Sequence, residues 1–110
     1  MNSNPPSSDF VIAFSTVDTE KEASKIARAL IEAKLAACVN IIPQINSVYE
    51  WKGEVCEETE QWMVIKTTQA HVEELKALLE EIHPYEVPEL IFIPIVDGLP
   101  DYLHWILATT

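Results

Sequence analysis

The run His83-Pro84-Tyr85-Glu86-Val87-Pro88-Glu89 gathers an imidazole, a phenol and two carboxylates around two prolines. These are the groups that ligate a metal ion or fix a small polar ligand. Pro84 and Pro88 lock their own φ and push His83 and Val87 toward extended geometry, which predicts a connection stiffer than an ordinary loop. Such a connection can hold side chains in a fixed relation. Imidazole is the commonest transition-metal ligand, so His83 is the metal candidate of this chain. A histidine at a helix C-terminus also interacts with the last carbonyls, and the two roles stand side by side.

Other chemistry is more dispersed. Glu54, Glu57, Glu58 and Glu60 concentrate carboxylates where a hairpin tip is expected. They suit either a hard divalent cation or a solvated edge that discourages strand pairing. Lys66 alternates with Trp62 and Val64, so it is expected to be partly buried and to need a carboxylate such as Glu60 or Glu89. Cys38 reads as a soft ligand or a small buried residue, and Cys56 as a surface thiol. The chain has no GxSxG, no HExxH and no Gly-rich phosphate loop, so no catalytic residue is assigned and no enzyme is expected.

The elements that must position these groups follow from periodicity. Asp9 to Ser15 is a run of β-branched and aromatic residues that predicts a central strand. Thr19 and Glu22 have capping-box spacing, and Ala23, Ile26, Ala27, Leu30 and Ile31 mark one face of a helix running to about Ala36. Val39 to Ile42 starts a second strand that resumes over Ser47 to Trp51, with Pro43 suggesting a bulge or an edge. Gly53 supplies the positive φ of a tight hairpin turn, and Thr59 to Thr68 alternates as a third strand. Val72, Leu75, Leu78, Leu79 and Ile82 predict a second helix that ends at His83, because Pro84 cannot continue it. Leu90 to Val96 is a fourth strand interrupted by Pro94, and Pro100 opens a last short helix carrying Tyr102, Leu103, Trp105, Ile106 and Leu107.

The order β-α-β-β-α-β plus a terminal helix is the split βαβ, or ferredoxin-like, arrangement of an α+β protein. Its two helices cover one sheet face. The strands are apolar on both faces, so the second face predicts self-association, and the long hairpin is expected to reach a neighbouring subunit. With 110 residues, 48% hydrophobic and 23% charged, the chain suits one globular domain over 9–110 behind a loose tail, Met1 to Ser8. That tail lacks the basic start and apolar run of a signal peptide, and no apolar stretch is long enough to span a bilayer, so no membrane partner is expected. Cys38 and Cys56 follow no zinc spacing and read as free thiols of a cytoplasmic protein. A net charge of −11 repels phosphate backbones, so no nucleic-acid partner is expected, and it draws cations.

Five blocks carry a family resemblance: KLAACVNIIP (Lys34 to Pro43), SVYEWKGEV (Ser47 to Val55), MVIKTT (Met63 to Thr68), HPYEVPE (His83 to Glu89) and DYLHWI (Asp101 to Ile106). In order and spacing the chain resembles CutA, the divalent-cation tolerance family, from Asp9 to the C-terminus. The resemblance implies a homotrimer of ferredoxin-like subunits, similar to PII-type signalling proteins, a role in tolerance to copper and other divalent metal ions, and no organic cofactor. The family's copper(II) pattern adds a cysteine at the end of the first strand and a second histidine beside the HPY motif. Here those positions hold Ser15 and Ile82, which leaves His83 alone and predicts a weak site. The resemblance also places Glu60, Lys66, Tyr85 and Glu89 along a crevice between subunits. They form either a polar ligand pocket or an inter-subunit network. A PII-like signalling or scaffold module, binding a small anionic ligand or a partner protein there, is the alternative to metal tolerance.

Overall fold

The computed structural model describes residues 9–110, so the expected tail Met1 to Ser8 lies outside the described residues. Strand β1, Phe10–Val17, leads into helix α1, Glu20–Glu32; β2, Cys38–Trp51, and β3, Glu54–Thr68, follow as a hairpin. A 3-10 turn, Gln69–His71, precedes helix α2, Val72–Ile82, then β4, Ile91–Pro94, and helix α3, Pro100–Ala108. The four strands form one antiparallel sheet in the order β2-β3-β1-β4. Because β3 lies between β1 and β2, the βαβ unit is split, as the element order predicted.

Strand alternation sorts the residues onto two faces. Ala13, Ser15 and Val17 of β1 and Met63, Ile65 and Thr67 of β3 are fully buried beneath α1 and α2, where they meet Ile26, Leu30, Leu75 and Leu79. Each large aliphatic side chain buried there contributes about 1.5–3 kcal/mol relative to exposure. The opposite face presents Ile12, Phe14, Trp62 and Val64, only half-buried, beside the exposed Ile91 and Ile93. Phe14 and Trp62 stack with ring centroids 5.2 Å apart. Helix α3 covers one end of this face, packing Leu103 and Ile106 on Phe10, Ala37 and Ile95.

Several boundaries move from their sequence expectation. Thr19 caps α1 by accepting a hydrogen bond from the Glu22 amide at 3.1 Å, as its spacing implied. The helix stops at Glu32 rather than near Ala36. Lys34 takes φ 62°, and the Lys34 and Leu35 amides donate to Ile31 and Leu30 carbonyls, the pattern of a Schellman cap without its usual glycine. The hairpin is also one continuous ribbon, because β3 begins at Glu54 and not at Thr59. Lys52 at φ 50° and Gly53 at φ 83° give two successive left-handed residues, the type I′ turn whose twist matches the flanking strands. Pro43 and Gln44 are absorbed as a bulge in β2, across which register jumps from Ile42 opposite Trp62 to Ile45 opposite Glu60. Gln61 holds that bulge by accepting from the Gln44 amide at 3.1 Å and donating to the Asp18 carbonyl at 3.1 Å. The fourth strand shrinks to four residues, since Pro94 has no amide to extend the ladder.

Candidate functional site

The connection from α2 to β4 wraps the end of the sheet where β1 finishes and the core half of β3 begins. Two buried side chains fasten it. His83, 7% exposed, donates from Nε2 to the Thr16 carbonyl at 2.8 Å. Its Nδ1 accepts from the Tyr85 amide at 3.1 Å, so the imidazole is held as the Nε2–H tautomer with both nitrogens engaged. Its ring also meets Tyr85 edge-on, centroids 4.8 Å apart. Ser15, fully buried, donates to the Glu89 carbonyl at 2.7 Å. Pro84 and Pro88 stiffen what lies between these two anchors.

In this geometry both ring nitrogens of His83 are engaged by backbone groups, the structural role that stood beside metal ligation in the sequence. The three positions of the copper pattern hold Ser15, Ile82 and His83; the first and last spend their polar atoms on backbone, and the second is an aliphatic side chain packed against the core. These residues do not fit a dedicated copper site. Among the described residues no group of three or more His, Cys, Asp or Glu side chains is placed to hold a metal within one chain. Sequence reasoning missed the fastening role of Ser15, whose bond to Glu89 joins residues 74 apart in the chain.

Of Glu60, Lys66, Tyr85 and Glu89, the residues expected along an inter-subunit crevice, three border one cleft within this chain. The Tyr85 hydroxyl donates to Glu60 Oε2 at 2.6 Å, and Glu60 itself is 6% exposed. Burial, then the Glu60 bond and charge, raises the Tyr85 phenol far above its usual range. Glu89 borders the same space, and burial followed by the Glu60 charge raises its carboxyl above the ordinary 4.5. Lys66 does not join them. It lies six residues along β3 from Glu60, about 20 Å at the strand rise, and its ammonium donates to the Asn40 side chain. The reason is register: opposite Cys38 and Ile12, Lys66 finds an amide within reach and no carboxylate.

Instead, the far half of the hairpin supplies the second wall of a 1020 Å³ cleft. Tyr49 and Trp51 from β2 and Glu58 and Glu60 from β3 face Tyr85 and Glu89 across it. The Tyr49 hydroxyl bonds Glu58, and that bond chiefly pushes its phenol up to about 12. Lys52 at the turn lies 5.6 Å from the Trp51 ring centroid and 3.9 Å from Glu86 Oε1, which ties the tip to the loop. Asp18, Glu58, Glu60, Glu86 and Glu89 all border the cleft, and among the described residues no lysine, arginine or histidine does. Its field therefore favours cations and repels anions.

A split-βαβ sheet whose long hairpin turns its outer half toward the α2–β4 connection across an acidic, aromatic-lined cleft defines a ferredoxin-like α+β protein of a particular build. The family profile described as "CutA1 divalent ion tolerance protein" matches residues 11–109. Protein CutA of Mus musculus is 51% identical over 98 residues, covering 89% of this chain and 55% of the mouse protein. The divalent-cation tolerance protein CutA of Thermus thermophilus is 45% identical over 95 residues, covering 86% of this chain and 92% of that protein. A solved structure of the Thermus thermophilus divalent cation tolerance protein superimposes with a TM-score of 0.89 at 42% identity, covering 92% of this chain and 98% of that one. The chain belongs to the CutA1 divalent ion tolerance family, and it spans about half the length of the mammalian relatives it matches.

Proposed function

We propose that this chain serves divalent-cation tolerance as a non-catalytic, cytoplasmic homotrimer, PII-like in assembly, that holds divalent ions such as copper(II) weakly. The observation that carries the reading is Glu60: a carboxylate buried to 6% exposure whose only bonding partner among the described residues is a phenol, and which no basic side chain among them neutralises. A buried charge without a counter-charge is costly, and an external cation relieves that cost. Glu60 with Glu89 is therefore the place for the ion, and His83 contributes only where its imidazole gives up two hydrogen bonds. The PII-like alternative, a module for a small anionic ligand at an inter-subunit crevice, is disfavoured by the same negative charge around the cleft.

The trimer accounts for the half-exposed Phe14, Trp62, Ile91 and Ile93, which need a partner surface. Trp62→Asp would then place a charge in a subunit interface, and sedimentation at micromolar concentration should change from trimer to monomer. Wild-type protein sedimenting as a monomer would sink the assembly. No described helix is long and apolar enough to cross a membrane.

The metal assignment is tested by calorimetric copper(II) titration of wild type, Glu60→Gln and His83→Ala. Glu60→Gln should weaken binding several-fold, while folded His83→Ala should stay within about twofold. The reverse pattern would hand the ion to the imidazole.

A further inference from the structure

The cleft that this cation reading rests on has walls that a bare metal ion does not use. Hard divalent cations take oxygen ligands at roughly 2.0–2.6 Å and gain nothing from an aromatic face. Here Tyr49, Trp51 and Tyr85 line the same space as Glu58, Glu60 and Glu89. We propose that this cleft binds a small organic polycation of the polyamine class, an aliphatic chain carrying two or more ammonium groups.

Size is the first argument. A cleft of 1020 Å³ far exceeds a hydrated ion, since an ion with six waters at about 30 Å³ each needs roughly 200 Å³. It lies at the upper end of the volumes that hold small organic ligands, about 300–1,000 Å³. Wall chemistry is the second. Ammonium groups are attracted to aromatic faces within about 6 Å of the ring centroid, and the methylenes between them gain from leaving water against the same rings. Spacing is the third: Glu58 and Glu60 sit two residues apart on one face of β3, about 7 Å along the strand. Two ammoniums joined by three or four methylenes span a comparable distance.

The hairpin tip already displays this chemistry. The Lys52 ammonium lies 5.6 Å from the Trp51 ring centroid and 3.9 Å from Glu86, a primary amine held between an aromatic ring and a carboxylate. Deeper in the cleft, Glu60 has no such amine among the described residues, although it is the more buried acid. An incoming polyamine would complete there the pairing that Lys52 makes at the rim.

The test is calorimetric titration of the full chain, in its native assembly and at constant ionic strength, with spermidine, putrescine and magnesium chloride. Spermidine should bind at least tenfold more tightly than magnesium, with putrescine between them. Trp51→Leu leaves the charge unchanged and should weaken spermidine about tenfold; Glu60→Gln should do the same; Glu73→Gln, a remote acid on α2, should change nothing. Spermidine no tighter than magnesium, or indifferent to Trp51→Leu, overturns the proposal in favour of general charge attraction. Glu60-dependent metal binding without amine binding defeats the polyamine proposal alone. Glu60-independent binding of every cation defeats the cleft as a cation site as well.

Discussion

Replacing His83 by alanine separates its two roles, because a fastener and a ligand fail differently. The substitution removes the Nε2 bond to the Thr16 carbonyl and the Nδ1 acceptor of the Tyr85 amide. Each backbone group left unpaired in a buried site costs about 1–3 kcal/mol. Loss of the edge-on contact with Tyr85 adds about 0.5–1.5 kcal/mol. Together the loss is on the order of 3 kcal/mol, a large fraction of the stability of a small domain. With a urea slope of about 2 kcal/mol per molar, the unfolding midpoint should fall by roughly 1.5 M. Circular dichroism should follow the transition at one fixed protomer concentration, since assembly makes apparent stability concentration-dependent. The companion variant Tyr85→Phe keeps the amide bonded to His83 and deletes only the hydroxyl on Glu60, so it should shift the midpoint by less than half as much. A His83→Ala midpoint within about 0.3 M of wild type, roughly 0.6 kcal/mol at that slope, accompanied by complete loss of copper binding, would refute the reasoning and restore the imidazole as a ligand.

The same geometry sets the outcome of other substitutions. Ser15→Ala should lower stability by about 1–2 kcal/mol, read by the same denaturation, because the Glu89 carbonyl loses its donor; Ser15→Cys combined with Ile82→His, which restores the family's copper pattern, should tighten copper(II) at least tenfold by calorimetry, and unchanged affinity would discredit the pattern here. Lys34→Gly should raise stability by about 1 kcal/mol, since glycine meets little penalty at φ 62°, and a lower melting temperature would contradict the Schellman assignment. Glu89 has a folded-state pKa above 4.5, so ionisation opposes folding: its penalty is full above that raised value and gone below 4.5, and Glu89→Gln should stabilise the protein at neutral pH but not below pH 4.5. Cation affinity needs the ionised form and should fall as pH falls through the same window; a flat profile would remove Glu89 from the site.

What was legible in the sequence is what local physics decides. The Thr19 cap, the Gly53 turn, the Pro43 bulge and the stop of α2 before Pro84 each have a residue-specific cause and stand where that cause put them. The early end of α1 was hidden because Lys34, not glycine, takes the left-handed position, and nothing in a lysine announces that. The partner of Lys66 within its own chain was hidden for a different reason. Alternation gives the face a side chain occupies, but its partner depends on the register against two other strands, which set it beside Asn40. The fastening bonds of Ser15 and His83 were illegible on the same ground, since they join residues 74 and 67 apart. Tyr49 and Trp51 entered the site only once the continuous hairpin had brought its outer half over the loop.

The stiffness of the loop and the charge of the cleft are parts of one arrangement. Like-charged carboxylates separate when their supports can move, and separation would relieve the repulsion between Glu60 and Glu89 that, after burial, helps hold the Glu89 carboxyl high. The backbone of Glu60 is held in β3, paired with Ile45 of β2 one residue beyond the Val17–Gln61 end of the β1 ladder. The backbone of Glu89 is held as well: its carbonyl is bound by buried Ser15, Pro88 restricts the chain before it, and His83 anchors the loop's other end to Thr16. The Tyr85 bond satisfies one oxygen of Glu60 without neutralising it, which leaves the charge directed at the cleft. Two carboxylates border one cleft with no basic side chain among the described residues lining it, so an incoming cation meets no competing positive charge there. The net charge of −11 concentrates cations around the whole molecule. The rigid prolines and the two buried fasteners thus act on function through electrostatics, by preventing the relaxation that would otherwise remove the site's affinity for positive charge.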